Sequence, residues 1–471
     1  MLCDRLSPYP GDVTLSALRD DLSDPVVIGA EAYTSQEYAR AERDKLWRKV
    51  WLQAGRVEEI PKVGDFFSYE ILDDSILIVR ATEQEIRAFH NVCAHRGRRL
   101  VQAPKGTRQA RGRVPVVADD DKAQFTCRYH GWRYDLEGKN SRVVHEADWK
   151  GALKSECIGL RKVNVGTWGG WIWINMDPAC EPLAQYLEPA AAMLEPFQLQ
   201  NMRYRWRKWG IFDCNWKVAL EAFCETYHVQ TTHPEFNAFG EFRGWGKAQG
   251  RHSNIGYDAP STVDENQKAK LRIGTGDARI STAKLQNYTW EKANTNTTRT
   301  LVEAAQRLER ELPEGTPPGQ VLGHWLASAR RDDEARGVVW PNVDPAIVGK
   351  SGTAWQIFPN FQIGHAVNNM LCYGARPYGY DPDKCIFEAA VYELFPANEE
   401  PKTEWVYSEP TEEDWCYVLS QDFSNLSAVQ QGMKSLGFGG AKPNPYMERS
   451  IANFHRNLAT YMGTGAPRQL E

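Results

Sequence analysis

At 471 residues, with 42% hydrophobic and 11% aromatic content, the chain has length for two or more domains and a large core. Its net charge of −5 carries no basic excess, which excludes nucleic acid and an anionic membrane surface as expected partners. No apolar run approaches the roughly 18 residues that a membrane span needs, and the opening MLCDRLSPYPGDVTLS has neither a basic n-region nor an apolar h-region. A cytoplasmic location is therefore expected, and ten scattered cysteines with no spaced framework fit reduced thiols. No GxGxxG or Walker-type loop sits between a strand and a helix, so any electrons used here must arrive from another protein.

In chain order, residues 1–30 show little periodicity and read as an arm. Thr34-Ser35-Gln36-Glu37 is a capping-box pattern, and Tyr38, Ala39, Leu46, Trp47 and Val50 follow at helical spacings, so a helix opens the ordered part. Between 66 and 91 come β-type runs at 67–72, 75–80 and 86–89, separated by polar turns, the first at Asp73-Asp74. Residues 131–138 read as strand and turn, and 167–175 as one further strand, closing a small antiparallel β domain near Asp177-Pro178. Helical character over 183–199 and strand character over 202–214 begin a second domain. Residues 235–345 are long, polar and irregular, with helices expected at 299–315 and 326–337. From Ile357 to Phe395 the pattern returns to strands.

The first chemical motif is carried by HNVCAHRGRRL and CRYHGWRY. These hold Cys93-Ala-His95 and Cys127-Arg-Tyr-His130, with Gly97 and Gly131 close behind. A zinc knuckle typically pairs Cys with Cys and His with His at short spacings. Here each clip offers one thiol and one imidazole, so two clips together can give one iron two Cys and the other two His. Neutral imidazoles in place of two thiolates lower the negative charge and raise the potential into the range of about −150 to +300 mV. Cys93, His95, Cys127 and His130, with Gly131-Trp132, resemble a Rieske [2Fe–2S] domain. The spacer from 96 to 126 is 31 residues, about twice the length common in that family. Its excess, 104–122, rich in Arg, Gly and Asp, reads as an inserted surface loop. Arg96, Arg98 and Arg99 are candidates to receive an acidic electron donor, although such arginines equally often bind local carbonyls.

The second motif lies in Asn215-Trp216-Lys217 through Glu225, Tyr227, His228, His233 and Pro234. On a helix Glu225 and His228 share a face, so the carboxylate can accept the imidazole N–H and aim the other nitrogen at a metal. His228 and His233 would stand about 140° apart on a continuous helix. Pro234 pushes His233 out of the α region, which lets the two converge. Near the C-terminus, Asp422 is an isolated acid in an apolar periodic segment that ends Val429-Gln430-Gln431-Gly432. Its rival, Glu412-Glu413-Asp414, reads as a solvated helix N-terminus. His324 and His365 could also reach a metal pocket, against the plainer reading of polar core or surface.

With the cluster clips, this second motif resembles the catalytic domain of Rieske non-heme iron oxygenases, in the large (α) subunit of the terminal oxygenase. The resemblance implies an α+β fold: an N-terminal Rieske antiparallel β domain, then a helix-grip catalytic domain with a curved antiparallel sheet. The implied division is an arm and helix over 1–50, the iron–sulfur domain over 51–178 and the mononuclear-iron domain over 179–471. It implies Cys93, His95, Cys127 and His130 as cluster ligands and His228, His233 and Asp422 as the 2-His-1-carboxylate triad for Fe(II). Glu225 takes the position of the acid that bridges the mononuclear site to a cluster His of the neighbouring subunit, where many members carry Asp. Implied partners are a reductase or ferredoxin, O2, a small aromatic or apolar substrate, and two further copies in a homotrimer, with or without a small β subunit. Demethylation or monohydroxylation is the alternative chemistry; a non-catalytic electron carrier or zinc protein is the alternative class.

Overall fold

A computed structural model describes residues 24–239, 243–258 and 276–470. The described residues fall into two compact units, one of 41–186 and one of 24–40 with 187–470. Of the arm expected over residues 1–30, residues 1–23 lie outside the described residues, and Val26–Val27 pairs as a short strand with Arg468–Gln469. Among the described residues no helix is long and apolar enough to cross a membrane.

The first unit is built on a seven-stranded antiparallel sheet. Its order is Leu52–Arg56, Trp171–Asn175, Lys162–Trp168, Ile86–His90, Asp74–Arg80, Asp65–Ile71 and Arg111–Arg113. The central runs SILIVR and WIWIN are buried along their length, as β-branched and aromatic residues in a covered sheet should be. Residues 167–175, expected as one strand, are instead a hairpin. Gly169 and Gly170 both have positive φ, +62° and +84°, the conformation a tight two-residue turn demands. The 104–122 insertion is also more than a surface loop. Arg111–Arg113 pairs with Asp65–Phe67 as an edge strand, Ala110 and Val114 are buried, and Val116–Val117 pairs with Lys122–Ala123 as a small hairpin. The opening cap shifts by one residue: the Ser35 hydroxyl accepts the Tyr38 N–H at 3.1 Å, while Thr34 donates back to Ala30. Among the described residues Cys157 is disulfide-bonded, so the expectation of reduced thiols does not hold there.

The second unit curls an eight-stranded sheet in the order Gly244–Gln249, His252–Tyr257, Ala354–Ile357, Phe361–His365, Asn369–Pro377, Cys385–Glu393, Arg203–Phe212 and Val406–Tyr407. All pairings are antiparallel except the last. The 244–257 hairpin and the helix Ala278–Tyr288 fall where only irregular chain was expected. Gly244, Gly246 and Gly256, with Lys247, Asn254 and Gln249, hide the β alternation, and the helix spends few apolar residues. Helical character over 183–199 resolves into short turns, Leu183–Tyr186, Ala190–Leu194 and Glu195–Phe197, cut by Pro189 and Pro196.

Three helices frame the candidate site. Trp216–Glu221 lies on strands Asn369–Pro377 and Cys385–Glu393, Tyr417–Met433 packs beside it, and Arg449–Met462 covers the 244–257 hairpin. A ring cluster of Phe212, Phe223, Phe387, Trp415 and Phe423 fastens Tyr417–Met433 and the turn after Trp216–Glu221 to the sheet, with centroids 4.7–6.4 Å apart. Phe423 follows Asp422 and Phe223 precedes Glu225 by two, so packing of apolar rings sets where both acids stand. Gln430 locks the same region: its Oε1 accepts the Asn215 N–H and its Nε2 donates to the Tyr33 carbonyl. Asn215 in turn caps Trp216–Glu221 by accepting the Lys217 N–H.

Candidate metal centres

The two Cys-His clips fold into the same turn. Cys93 N–H donates to the Arg98 carbonyl at 2.8 Å and Gly97 N–H to the Cys93 carbonyl at 2.9 Å. Cys127 N–H donates to the Trp132 carbonyl at 2.8 Å and Gly131 N–H to the Cys127 carbonyl at 3.0 Å. Both glycines sit at positive φ, +76° and +73°, which explains the residue type four places after each Cys. The two thiols are buried at 2% exposure, whereas His130 is exposed and His95 half-buried. The imidazoles stand together, ring centroids 4.7 Å apart, with His95 stacked on Trp132 at 5.0 Å.

Burial pushes the Cys93 thiol up. Tyr134 Oη lies 3.1 Å from Cys93 Sγ and accepts the Ala94 N–H at 3.0 Å, so its own proton is free to serve the sulfur. Two sulfurs inside and two nitrogens outside match a two-iron cluster with unlike ends. The neighbouring arginines have local partners: Arg96 donates to Tyr129, Arg98 to the Arg99 carbonyl, and Arg99 pairs with Glu70 at 2.9 Å.

In the second unit His228, His233 and Asp422 offer ligand atoms that all lie within 4.8 Å of one another. Asp422 Oδ1 is 2.9 Å from His233 Nε2 and 3.3 Å from His228 Nε2. The expected helix over Glu225 and His228 is absent: Trp216–Glu221 ends first, and a turn runs to His228. Glu225 itself makes that turn. One oxygen accepts the Tyr227 and His228 N–H groups, and the other meets His228 Nδ1 at 2.5 Å. His233 ends the helix Val229–Thr232 at φ −119°, ψ 64°, outside the α region, with Pro234 next.

His233 Nδ1 lies 2.8 Å from Gln421 Oε1; Gln421 Nε2 donates to Glu235, which also accepts the Tyr417 hydroxyl at 2.5 Å. With Nδ1–H donated outward on both rings, both Nε2 lone pairs face Asp422 Oδ1, a buried oxygen with no hydrogen bond. Three electron-pair donors converging where Asp422 and His233 are buried repel unless a cation stands between them, and two imidazoles with one carboxylate suit Fe(II). The electrostatics agree. Burial works against protonating His228, but contacts with Asp422 and Glu225 outweigh it and push the imidazole up to about 10. Burial would raise Asp422, yet the two imidazoles hold it below the usual carboxylate range.

A cavity of about 370 Å³ adjoins this tripod. Glu221, Glu225, His228, Asp422, Lys442 and Glu448 line it, between apolar walls that include Val218, Leu426 and Ile451. Burial, then Glu225 and Glu221, push the Glu448 carboxyl up to about 7. His324 pairs with Glu311 on the surface, and His365 is buried against Phe197, pushed down to about 4 by burial; neither lines this cavity. The acidic run forms the helix Glu412–Trp415, capped by Thr411, and takes no part in the tripod. Sequence reading passed over Gln421, Glu235, Tyr417 and Glu448. The only cues were adjacency to Asp422 and to His233-Pro234.

The chain matches the Rieske [2Fe-2S] domain family over residues 50–151 and the ring hydroxylating alpha subunit (catalytic domain) family over 198–464. It is 30% identical over 204 residues to the glycine betaine monooxygenase oxygenase subunit of Pseudomonas aeruginosa, covering 43% of this chain and 44% of that protein. It is 33% identical over 211 residues to the biphenyl 2,3-dioxygenase subunit alpha of Rhodococcus jostii, covering 42% of each. The matched stretch thus spans less than half the length of these curated relatives. Two solved structures share the fold at 17% identity. A quaternary ammonium Rieske monooxygenase in complex with L-carnitine has a TM-score of 0.61, over 94% of this chain and 97% of that one. Naphthalene 1,2-dioxygenase with indole bound has 0.57, over 93% and 92%. The chain belongs to the ring-hydroxylating alpha-subunit family, oxidoreductases that join a Rieske [2Fe-2S] domain to a mononuclear-iron catalytic domain.

Proposed function

We propose that this chain is the terminal oxygenase subunit of a Rieske non-heme iron oxygenase, acting on a small aromatic or apolar molecule. The observation that carries the reading is the convergence of His228, His233 and Asp422 on one point, with Asp422 Oδ1 buried and unsatisfied. In this reading Cys93, His95, Cys127 and His130 hold the cluster, and those three hold Fe(II). When bound, the cluster supplies one-electron transfer and the ferrous ion supplies O2 activation. The chain's own work is positional: Glu225 and Gln421 each fix an imidazole with its Nδ1–H outward and its Nε2 free. Glu225 also serves as the acceptor that meets a cluster imidazole of a neighbouring copy. The apolar walls exclude water and receive the substrate's body.

The assembly proposed is a cytoplasmic homotrimer, with or without a small β subunit, fed by a separate reductase or ferredoxin. A second reading, monooxygenation or demethylation of an amine, is favoured by the four carboxylates on the cavity wall, Glu221, Glu225, Asp422 and Glu448. It also fits the relatives named for glycine betaine and carnitine. Metal and sulfide analysis is the test. About three irons and about two sulfides per chain are expected; about two irons leave an electron carrier, and zinc alone rejects the cluster. Among products, a cis-diol supports ring dioxygenation and formaldehyde supports demethylation.

A further inference from the structure

Glu221, the last residue of its helix, faces the cavity, and two buried titratable groups from distant parts of the chain stand behind it. Tyr33 Oη lies 3.0 and 3.2 Å from the two Glu221 oxygens. His455 Nε2 lies 2.7 Å from Glu221 Oε1 and 2.7 Å from Tyr33 Oη. Tyr33 is fully buried and His455 is 4% exposed. Burial, then Glu221, hold the Tyr33 phenol well above its ordinary range, so it remains an O–H donor. Glu225, Glu448 and Lys442 share the cavity wall, Cys224 lies behind Glu221, and Tyr38 stands near Tyr33. Two buried titratable groups in contact with a third on the cavity wall are a costly arrangement, and neither metal centre uses them.

A closed triangle of this kind has two proton arrangements with the same number of protons. In one, an imidazolium Nε2–H and the Tyr33 O–H both donate to a Glu221 carboxylate. In the other, neutral His455 Nε2 accepts from Tyr33, and protonated Glu221 is the acid. A single proton therefore has two homes, 2.7 Å apart, one of them on the cavity wall.

We propose that Tyr33, His455 and Glu221 form a proton relay that serves the cavity beside the tripod. The inference rests on the oxygenase reading, because O2 reduced with electrons from a donor protein consumes protons. The His455 Nε2–H bond breaks as a Glu221 O–H bond forms, and neutral Nε2 then accepts the Tyr33 O–H. The Glu221 O–H bond breaks in turn as its proton bonds to oxygen being reduced in the cavity, which leaves Glu221 a carboxylate and His455 neutral. Between turnovers, cavity water recharges His455 through Glu221 by the reverse path. No electrons move within the triad.

Two measurements on the iron- and cluster-loaded chain test the relay. Infrared spectra across pH are expected to show a protonated carboxyl band, assigned to Glu221 by its loss in Glu221→Gln, which changes together with the imidazole bands of His455. A fixed ion pair has no such band, and its absence overturns the proposal. In single turnover, Glu221→Gln is expected to slow product formation about tenfold, with a larger solvent deuterium isotope effect and an altered pH profile, and Glu221→Asp to restore much of the rate. Unchanged isotope effect and pH profile overturn the relay and leave a strut. Where Glu221→Gln does not fold, Tyr33→Phe keeps the ring and the Glu221–His455 pair, and a smaller change in the same direction is expected. A fully loaded parent that forms no O2-dependent product overturns the oxygenase reading instead, and the infrared band alone then judges the triad.

Discussion

The two candidate metal centres are made in opposite ways. Each Cys-His clip is a turn complete within six residues, with its own glycine and its own pair of backbone hydrogen bonds. The tripod draws on segments far apart in the chain: 188 residues separate His233 from Gln421, which orients it. The first centre is local geometry used twice, the second a product of tertiary packing. Damage to the clips should therefore stay local, while the tripod should feel changes in the aromatic core beneath it.

The largest effect expected tests whether the centres are separable. Asp422→Ala should weaken mononuclear iron binding by at least ~100-fold and abolish turnover, while the visible spectrum of the cluster is unchanged. Retained turnover would reject the ligand assignment. Next is the packing that sites the tripod: Phe423→Ala should cost about 3–5 kcal/mol of stability and some iron affinity, read by denaturant melts and iron titration. A cluster spectrum that bleaches along with it would contradict the contrast just drawn.

A smaller effect belongs to the ligands' outer partners. Gln421→Leu leaves His233 Nδ1–H without its acceptor and should weaken iron binding about tenfold; an unchanged iron titration would strip Gln421 of that role. Smallest is a pH effect confined to the cavity. Glu448 binds its proton more tightly folded than unfolded, so between the ordinary carboxylate range and about 7 the native state holds the extra proton. Stability of the metal-free chain should therefore fall as pH rises through that window, and Glu448→Gln should flatten the slope in thermal melts.

The sequence showed the clips plainly, because their constraints are short-ranged: four ligands, two glycines and an aromatic fit in two short windows. His233 was legible for the same reason, through the proline beside it. Asp422 could be found only as an acid placed on an apolar helical stripe, with Leu419, Phe423 and Leu426, and by resemblance. Glu225 was placed correctly against His228 by a wrong route, since its carboxylate closes a turn and not a helical face. The hairpin at 244–257 was hidden because glycine and polar side chains blur a period of two. Gln421 and Glu235 had only adjacency to Asp422 and to His233-Pro234 to mark them, and Glu448 had nothing until the chain is folded.

The spacer between the clips has a consequence for how this domain can vary. Its added strand pairs with Asp65–Phe67 and its hairpin turns back on itself, so neither Cys-His turn is asked to stretch. Spacer length is thereby decoupled from cluster geometry. Residues 118–121, the tip of that hairpin, are where the backbone could be opened or extended while the two Cys-His turns keep their places.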